Sequence, residues 1–197
     1  MFKNKSFRKF CLHFMSWFRK FYAPAIFWIL WFFWIRWTIS IEDRHAARVI
    51  WDDIRGSQTL EEFRTKLKRY DWLSEPAGGL LDFTYQIPWL NFCGTVPARF
   101  GRDCDDFANL AWLWCECHGV KHIWQIMSMR ETIKSAHVFV VALMGAAGDK
   151  ANEHQIYVML SNNSSAKYIA ASSVEEAVRL YVSDETVFVI YREEEIK

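Results

Sequence analysis

The chain has no acidic residue before Glu42, no glycine-rich phosphate loop, no nucleic-acid-binding module and no internal repeat. Lys and Arg number 24 against 23 Asp and Glu, a formal net charge of +1 over 197 residues. That balance excludes a global electrostatic pull toward nucleic acid. The five cysteines leave an odd one, and no spacing among them marks a disulfide framework, so the redox compartment stays open. Prolines and glycines are few, four and eight, and they gather in one place. Pro76, Pro88 and Pro97 with Gly78, Gly79 and Gly94 make residues 71–102 an irregular, loop-rich stretch. Its aromatics, including Tyr85, Trp89 and Phe92, serve either as core or as the wall of a substrate groove.

No uninterrupted apolar run reaches the roughly 20 residues of a spanning helix. Residues 25–35 are apolar and Arg36 interrupts them, whereas residues 22–41 taken as one unit reach that length. An Arg near the end of such a unit can snorkel to the headgroups, and Trp favours the interface. Trp17, Trp28, Trp31, Trp34 and Trp37 all fall in the first forty residues, behind or among six cations from Lys3 to Lys20. Three readings fit residues 1–42: a short transmembrane helix, an interfacial helical anchor, or an aromatic arm buried against the domain or a partner. Membrane association is the expectation. No small-x-small site follows the run, which argues against a cleaved signal peptide. If the segment spans, the charge bias puts the N-terminus in the cytoplasm and the domain, residues 43–197, on the opposite side.

The remaining pattern is helices first and strands after. Residues 43–55 read as a helix with Ala46, Ala47, Ile50 and Ile54 on one face and Gly56 ending it. Thr59 with Glu62 has capping-box spacing for a second helix to about residue 70. A third helix follows Asp103 and ends near Gly119. Residues 123–129 read as a strand. The apolar runs 137–143 and 154–160, separated by a Gly-containing turn, read as an antiparallel hairpin. Residues 167–170 make another strand. Ser173 with Glu176 caps a short helix to Tyr181, residues 186–191 form a last strand, and residues 193–195 are a polar tail. This is an α+β pattern with a mostly antiparallel sheet.

The chemistry centres on the run Gly101-Arg102-Asp103-Cys104-Asp105-Asp106-Phe107-Ala108. Asp103, Asp105 and Asp106 suit the cap and first turn of a helix, where free N–H groups and the positive dipole end favour oxygen and negative charge. Phe107, Leu110, Ala111 and Trp114 then recur at helical spacing. A thiol at a helix N-terminus can be acidified, and the thiolate is the nucleophile. Alone, Cys104 reads more readily as a small buried residue beside a capped helix. A base changes that balance. His137 starts a Val- and Phe-rich strand, and pivoting the hairpin on its loop sets His137 opposite roughly Ser161 to Asn163. Asn162, or else Asn163, is then the residue to accept from the imidazole and fix its tautomer.

Cys104 in Gly-x-Asp-Cys-Asp-Asp-Phe-Ala and His137 in Ala-His-Val-Phe-Val resemble the transglutaminase-like superfamily, and in particular its bacterial transglutaminase-like cysteine peptidase branch. The segment from Trp89 to Arg99 with Pro97 is similar to the loop before the nucleophile there. The resemblance covers roughly residues 45–192. It implies a papain-like α+β core, a thiol hydrolase acting on a protein or peptide substrate, and no required cofactor. The alternatives are an inactive membrane-tethered scaffold of the same fold, or acyl transfer from glutamine to an amine. The superfamily's third member is usually Asp, and Asn162 would replace it without its negative charge. The resemblance also raises calcium at Asp103, Asp105 and Asp106, three carboxylates that equally serve as caps. Cys115-x-Cys117-His118, with His122 nearby, lacks zinc-site spacing and reads as core and cap.

Overall fold

A computed structural model of the protein describes residues 4–21, 45, 48–49, 52–69, 103–131, 136–146, 155–162 and 166–195. The apolar run 22–41, most of the helix expected over 43–55, the loop-rich stretch 71–102, the centre of the hairpin turn and Asn163 lie outside the described residues.

Within them, helices α1 (Lys5–Phe21), α2 (Leu60–Leu67) and α3 (Cys104–Cys117) precede strands β1 (His122–Met129), β2 (Ala136–Ala146), β3 (Gln155–Leu160) and β4 (Lys167–Ala171). Helix α4 (Val174–Tyr181) and strand β5 (Val187–Glu195) follow. Residues 52–55 are also helical, as part of the element expected there. The sheet has five strands in the order β4-β3-β2-β1-β5, and every neighbouring pair is antiparallel. The chain is α+β.

The capping patterns form as their spacing requires. Thr59 Oγ1 accepts from the N–H of Glu62 at 3.1 Å, and Glu62 in turn accepts from Gln58 N–H at 2.9 Å. Ser173 Oγ accepts from Glu176 N–H at 3.2 Å, and Glu176 returns the bond to Ser172 N–H at 2.8 Å. In both cases the Glu reaches one residue before the N-cap, so the orphan donor it satisfies lies outside the helix proper.

Strand alternation sorts the side chains onto two faces. Val138, Val140 and Ala142 of β2 join Ile123 and Met127 of β1 and Val158 and Leu160 of β3 in one core, under α2 and α3. Phe139 and Val141 join Trp124, Ile126, Tyr157 and Met159 in a second core, under α4. Each fully buried Leu, Ile or Phe contributes roughly 1.5–3 kcal/mol of transfer free energy to that arrangement.

Two boundaries differ from the sequence reading. β5 runs on through Glu195, with His122 opposite Glu195 and Trp124 opposite Glu193. The expected polar tail is therefore strand. β5 is an edge strand, so its charged side chains stay in water while the backbone pairs, and pairing overrides the weak strand propensity of Glu. Trp124 Nε1 donates to Glu193 at 2.9 Å and adds a side-chain tie. The second difference is at α1. This helix packs against β5 and β1, with Leu12 0 % exposed inside the α2–α3 core and Lys5 Nζ donating to the Asp184 carbonyl at 2.9 Å. A helix from the segment assigned to the anchor thus also contributes to the core of the domain.

Candidate active site

Cys104 opens α3. Asp103 is the N-cap in extended conformation, its carboxylate accepts from Asp105 N–H at 3.3 Å, and Asp106 accepts from Asp103 N–H at 3.1 Å. This capping box fixes the first turn and with it the direction of the Cys104 side chain. Cys104 is partly buried at the edge of the α3 core.

A buried hydrogen bond sets the helix along the sheet. Gln125 Nε2 donates to Asn109 Oδ1 at 3.2 Å, and Gln125 pairs with Val140 of β2. The carboxylate of Asp105, in the first turn of α3, acts electrostatically on the His137 ring, so that turn lies toward the beginning of β2.

The His137 ring is turned to the second face. It stacks on Phe139 with centroids 5.9 Å apart, and its Nε2 lies 2.6 Å from Ser161 Oγ. Burial pushes the imidazole below its ordinary value, and the carboxylate of Asp105, next to Cys104 in the chain, opposes that shift. Among the described residues no hydrogen bond joins Cys104 to His137; the charge of Asp105 is what couples the α3 N-terminus to the ring.

The residue at the ring is thus Ser161 and not Asn162. Alternation explains it. Tyr157, Met159 and Ser161 follow one another on the face of Phe139 and His137, and Asn162 comes one residue later. Asn162 has φ of 45°, which turns the chain out of the strand, and its buried Oδ1 makes no hydrogen bond among the described residues. The observed register of Val140 with Leu160, carried three residues further, sets His137 against position 163. Residues with the parity of 161 and 163 were therefore the ones to weigh, and period-2 alternation was the signal that excludes 162.

Arg64 was not legible as part of this region. From α2 it donates to the carbonyls of Asn162 at 2.7 Å and Ser161 at 3.2 Å. Burial lowers its guanidinium to about 10, and Tyr181 opposes that shift.

Among the described residues, the three carboxylates read as a calcium set do not form one group of ligand atoms. Asp103 and Asp106 are engaged in the capping box, and the donors that come within 4.8 Å of one another are Asp103, Cys104 and Asp105. Among the described residues this group offers two carboxylates and a thiol, fewer than the oxygens that a calcium shell takes. Cys115, Cys117 and His118 do not converge either. Cys115 is buried, with its thiol pushed up to about 12, while Cys117 is exposed. The His118 ring stacks on Trp114 at 4.3 Å, with Nδ1 2.8 Å from the Trp114 carbonyl.

Compared with known proteins, the chain matches no family model, no curated protein and no solved structure.

Proposed function

We propose that the protein is a membrane-associated thiol hydrolase of the transglutaminase-like cysteine peptidase type, cleaving a peptide or isopeptide bond. The observation that carries this reading is the His137 ring, held at Nε2 by Ser161 at the end of the sheet where Cys104 begins a capped helix. With Nε2–H donating to Ser161, Nδ1 is the basic nitrogen. It takes the Cys104 proton through a bridging water at the end of the sheet, because the ring lies on the α4 face and the thiol on the α3 side, and Sγ attacks the carbonyl carbon. The resulting oxyanion is stabilised by the backbone N–H of Cys104 at the first helical position. Collapse breaks the C–N bond, and the imidazolium returns its proton to the leaving amine. Water then attacks the thioester with His137 again as base, releasing the acid and the thiol. Asp105 supplies the negative charge toward the imidazolium that neither Ser161 nor Asn162 carries. No cofactor enters these steps. Hydrolysis over transfer rests on the resemblance of the Cys104 and His137 motifs.

The membrane contact is interfacial in this reading. A single crossing by residues 22–41 would separate α1 from the sheet, and the two share the core around Leu12. α1 turns Phe10 and Phe14, 64 % and 54 % exposed, away from that core, with Lys9 exposed beside them. Aromatic and basic faces of this kind suit an anionic headgroup region. Both α1 and the domain then lie on one side of the bilayer.

A second reading, a tethered binding protein of the same fold without activity, is favoured by the absence of a Cys104–His137 hydrogen bond among the described residues. Iodoacetamide labelling with peptide mapping separates the two. The enzyme requires Cys104 to react far faster than exposed Cys117 and to lose that advantage in His137→Ala. Equal rates at both cysteines would leave only the scaffold.

A further inference from the structure

We infer that Arg64 is a positioning residue for the His137 base: it clamps the backbone that presents Ser161 to the imidazole. The inference rests on the Cys104–His137 reading above and assigns a function to a residue in a separate helix, 73 positions before His137 in the chain.

Three observations carry it. Arg64 is 4 % exposed, and the two hydrogen bonds of its guanidinium go to the carbonyls of Ser161 and Asn162, at 3.2 and 2.7 Å. No ion pair to Arg64 forms among the described residues. A buried guanidinium that spends its donors on neutral carbonyls is costly, and a Leu or Met would fill the same space more cheaply. Second, the carbonyls it holds belong to the residues at which β3 ends and the chain turns away, Asn162 being at φ 45°. β3 pairs with β2 only as far as Leu160, so the sheet ladder does not fix Ser161. Third, Ser161 Oγ is the hydrogen-bond partner of His137 Nε2 at 2.6 Å.

The planar fork of Arg suits this task. Two N–H groups at a fixed separation grip two successive carbonyls and set the orientation of the peptide between them. That peptide carries the Cα of Ser161 on one side, so its orientation sets where Oγ lies. A shift of about an ångström there would break the bond to Nε2 and free the ring to rotate. Arg64 acts on the base through Ser161, and does not touch the thiol or the substrate.

The test uses the full chain in detergent micelles with labelled histidine. His137 is assigned by comparison with His137→Gln, and its titration is followed by NMR alongside iodoacetamide labelling of Cys104. Arg64→Met is expected to move the His137 titration and to slow Cys104 labelling about fivefold to tenfold, the worth of one hydrogen bond. Ser161→Ala should do the same. The double variant should be no slower than either single one, because both remove one interaction. Arg64→Lys, which keeps a buried cation but grips one carbonyl, should fall between, and it serves if Arg64→Met does not fold. Cys117 labelling should stay unchanged. An unmoved His137 titration in Arg64→Met or Arg64→Lys, or additive losses in the double variant, overturns the inference. If Cys104 is instead no faster than Cys117 in the native chain, the enzyme reading fails, and the His137 titration still decides the role of Arg64.

Discussion

Ser161 Oγ lies 2.6 Å from His137 Nε2, and this pair joins the end of β3 to the beginning of β2. It makes Ser161 the residue that orients the ring. It also holds the imidazole on the face of Phe139; in the proposed mechanism Nδ1 is then the nitrogen for proton transfer.

Replacing Ser161 should therefore matter more to reactivity than replacing Asn162. Ser161→Ala is expected to lower the Cys104 labelling rate by about fivefold, whereas Asn162→Ala should change it less than about twofold. Asn162→Ala should instead cost about 1 kcal/mol of stability, because Asn tolerates a left-handed backbone better than Ala. Second-order rates from mass spectrometry and urea melts of the two variants check this. A larger rate loss in Asn162→Ala would restore Asn162 as the orienting residue.

Acid should weaken the fold through His137. Burial holds the folded-state imidazole below its ordinary value of 6.5, with Asp105 opposing. As pH falls, the unfolded chain takes the proton first. The stability that goes with the neutral ring is thus complete above about pH 6.5 and declines below it, until the folded ring also protonates. The melting temperature should drop between about pH 7.5 and about pH 5.5, and His137→Gln should make that drop smaller. An identical drop in the variant would assign it to other groups.

Leu12 tests whether α1 belongs to the core. It is fully buried against the α2–α3 cluster, so Leu12→Ala should cost about 2–5 kcal/mol in urea unfolding. Phe10→Ser, on the opposite side of the same helix, should cost less than about 0.5 kcal/mol. A detached anchor would show no loss for either.

If α1 keeps its place on the sheet at a membrane, the N-terminus and the domain lie on one side of it. An impermeant protease added to sealed vesicles should reach an N-terminal tag and the domain together or neither. Cleavage of one with protection of the other would show a single crossing, and would require α1 to leave β5.

Local pattern was enough for the element order. Apolar spacing after Cys104, the capping pairs Thr59–Glu62 and Ser173–Glu176, and the Val-rich runs around the hairpin are interactions over three or four residues, and they hold in any tertiary setting that keeps the chain regular. Cys104 at the start of a helix and His137 at the start of a strand were legible for the same reason.

The residues around the His137 ring were decided by tertiary structure. Asn162 has the chemistry of an orienting residue, but strand parity and its left-handed backbone direct it away from the ring, and the less conspicuous Ser161 takes the place. Arg64 reads from sequence as one more cation on a short helix; only the docking of α2 beside the end of β3 puts its guanidinium on two carbonyls there. β5 extends through three glutamates because β1 offers it a pairing edge. α1 carries aromatic and core faces whose sequence reads as an anchor, and packing against β5 settles which face is buried. In each case a contact between segments far apart in the chain outweighs a local preference worth less than about 1 kcal/mol.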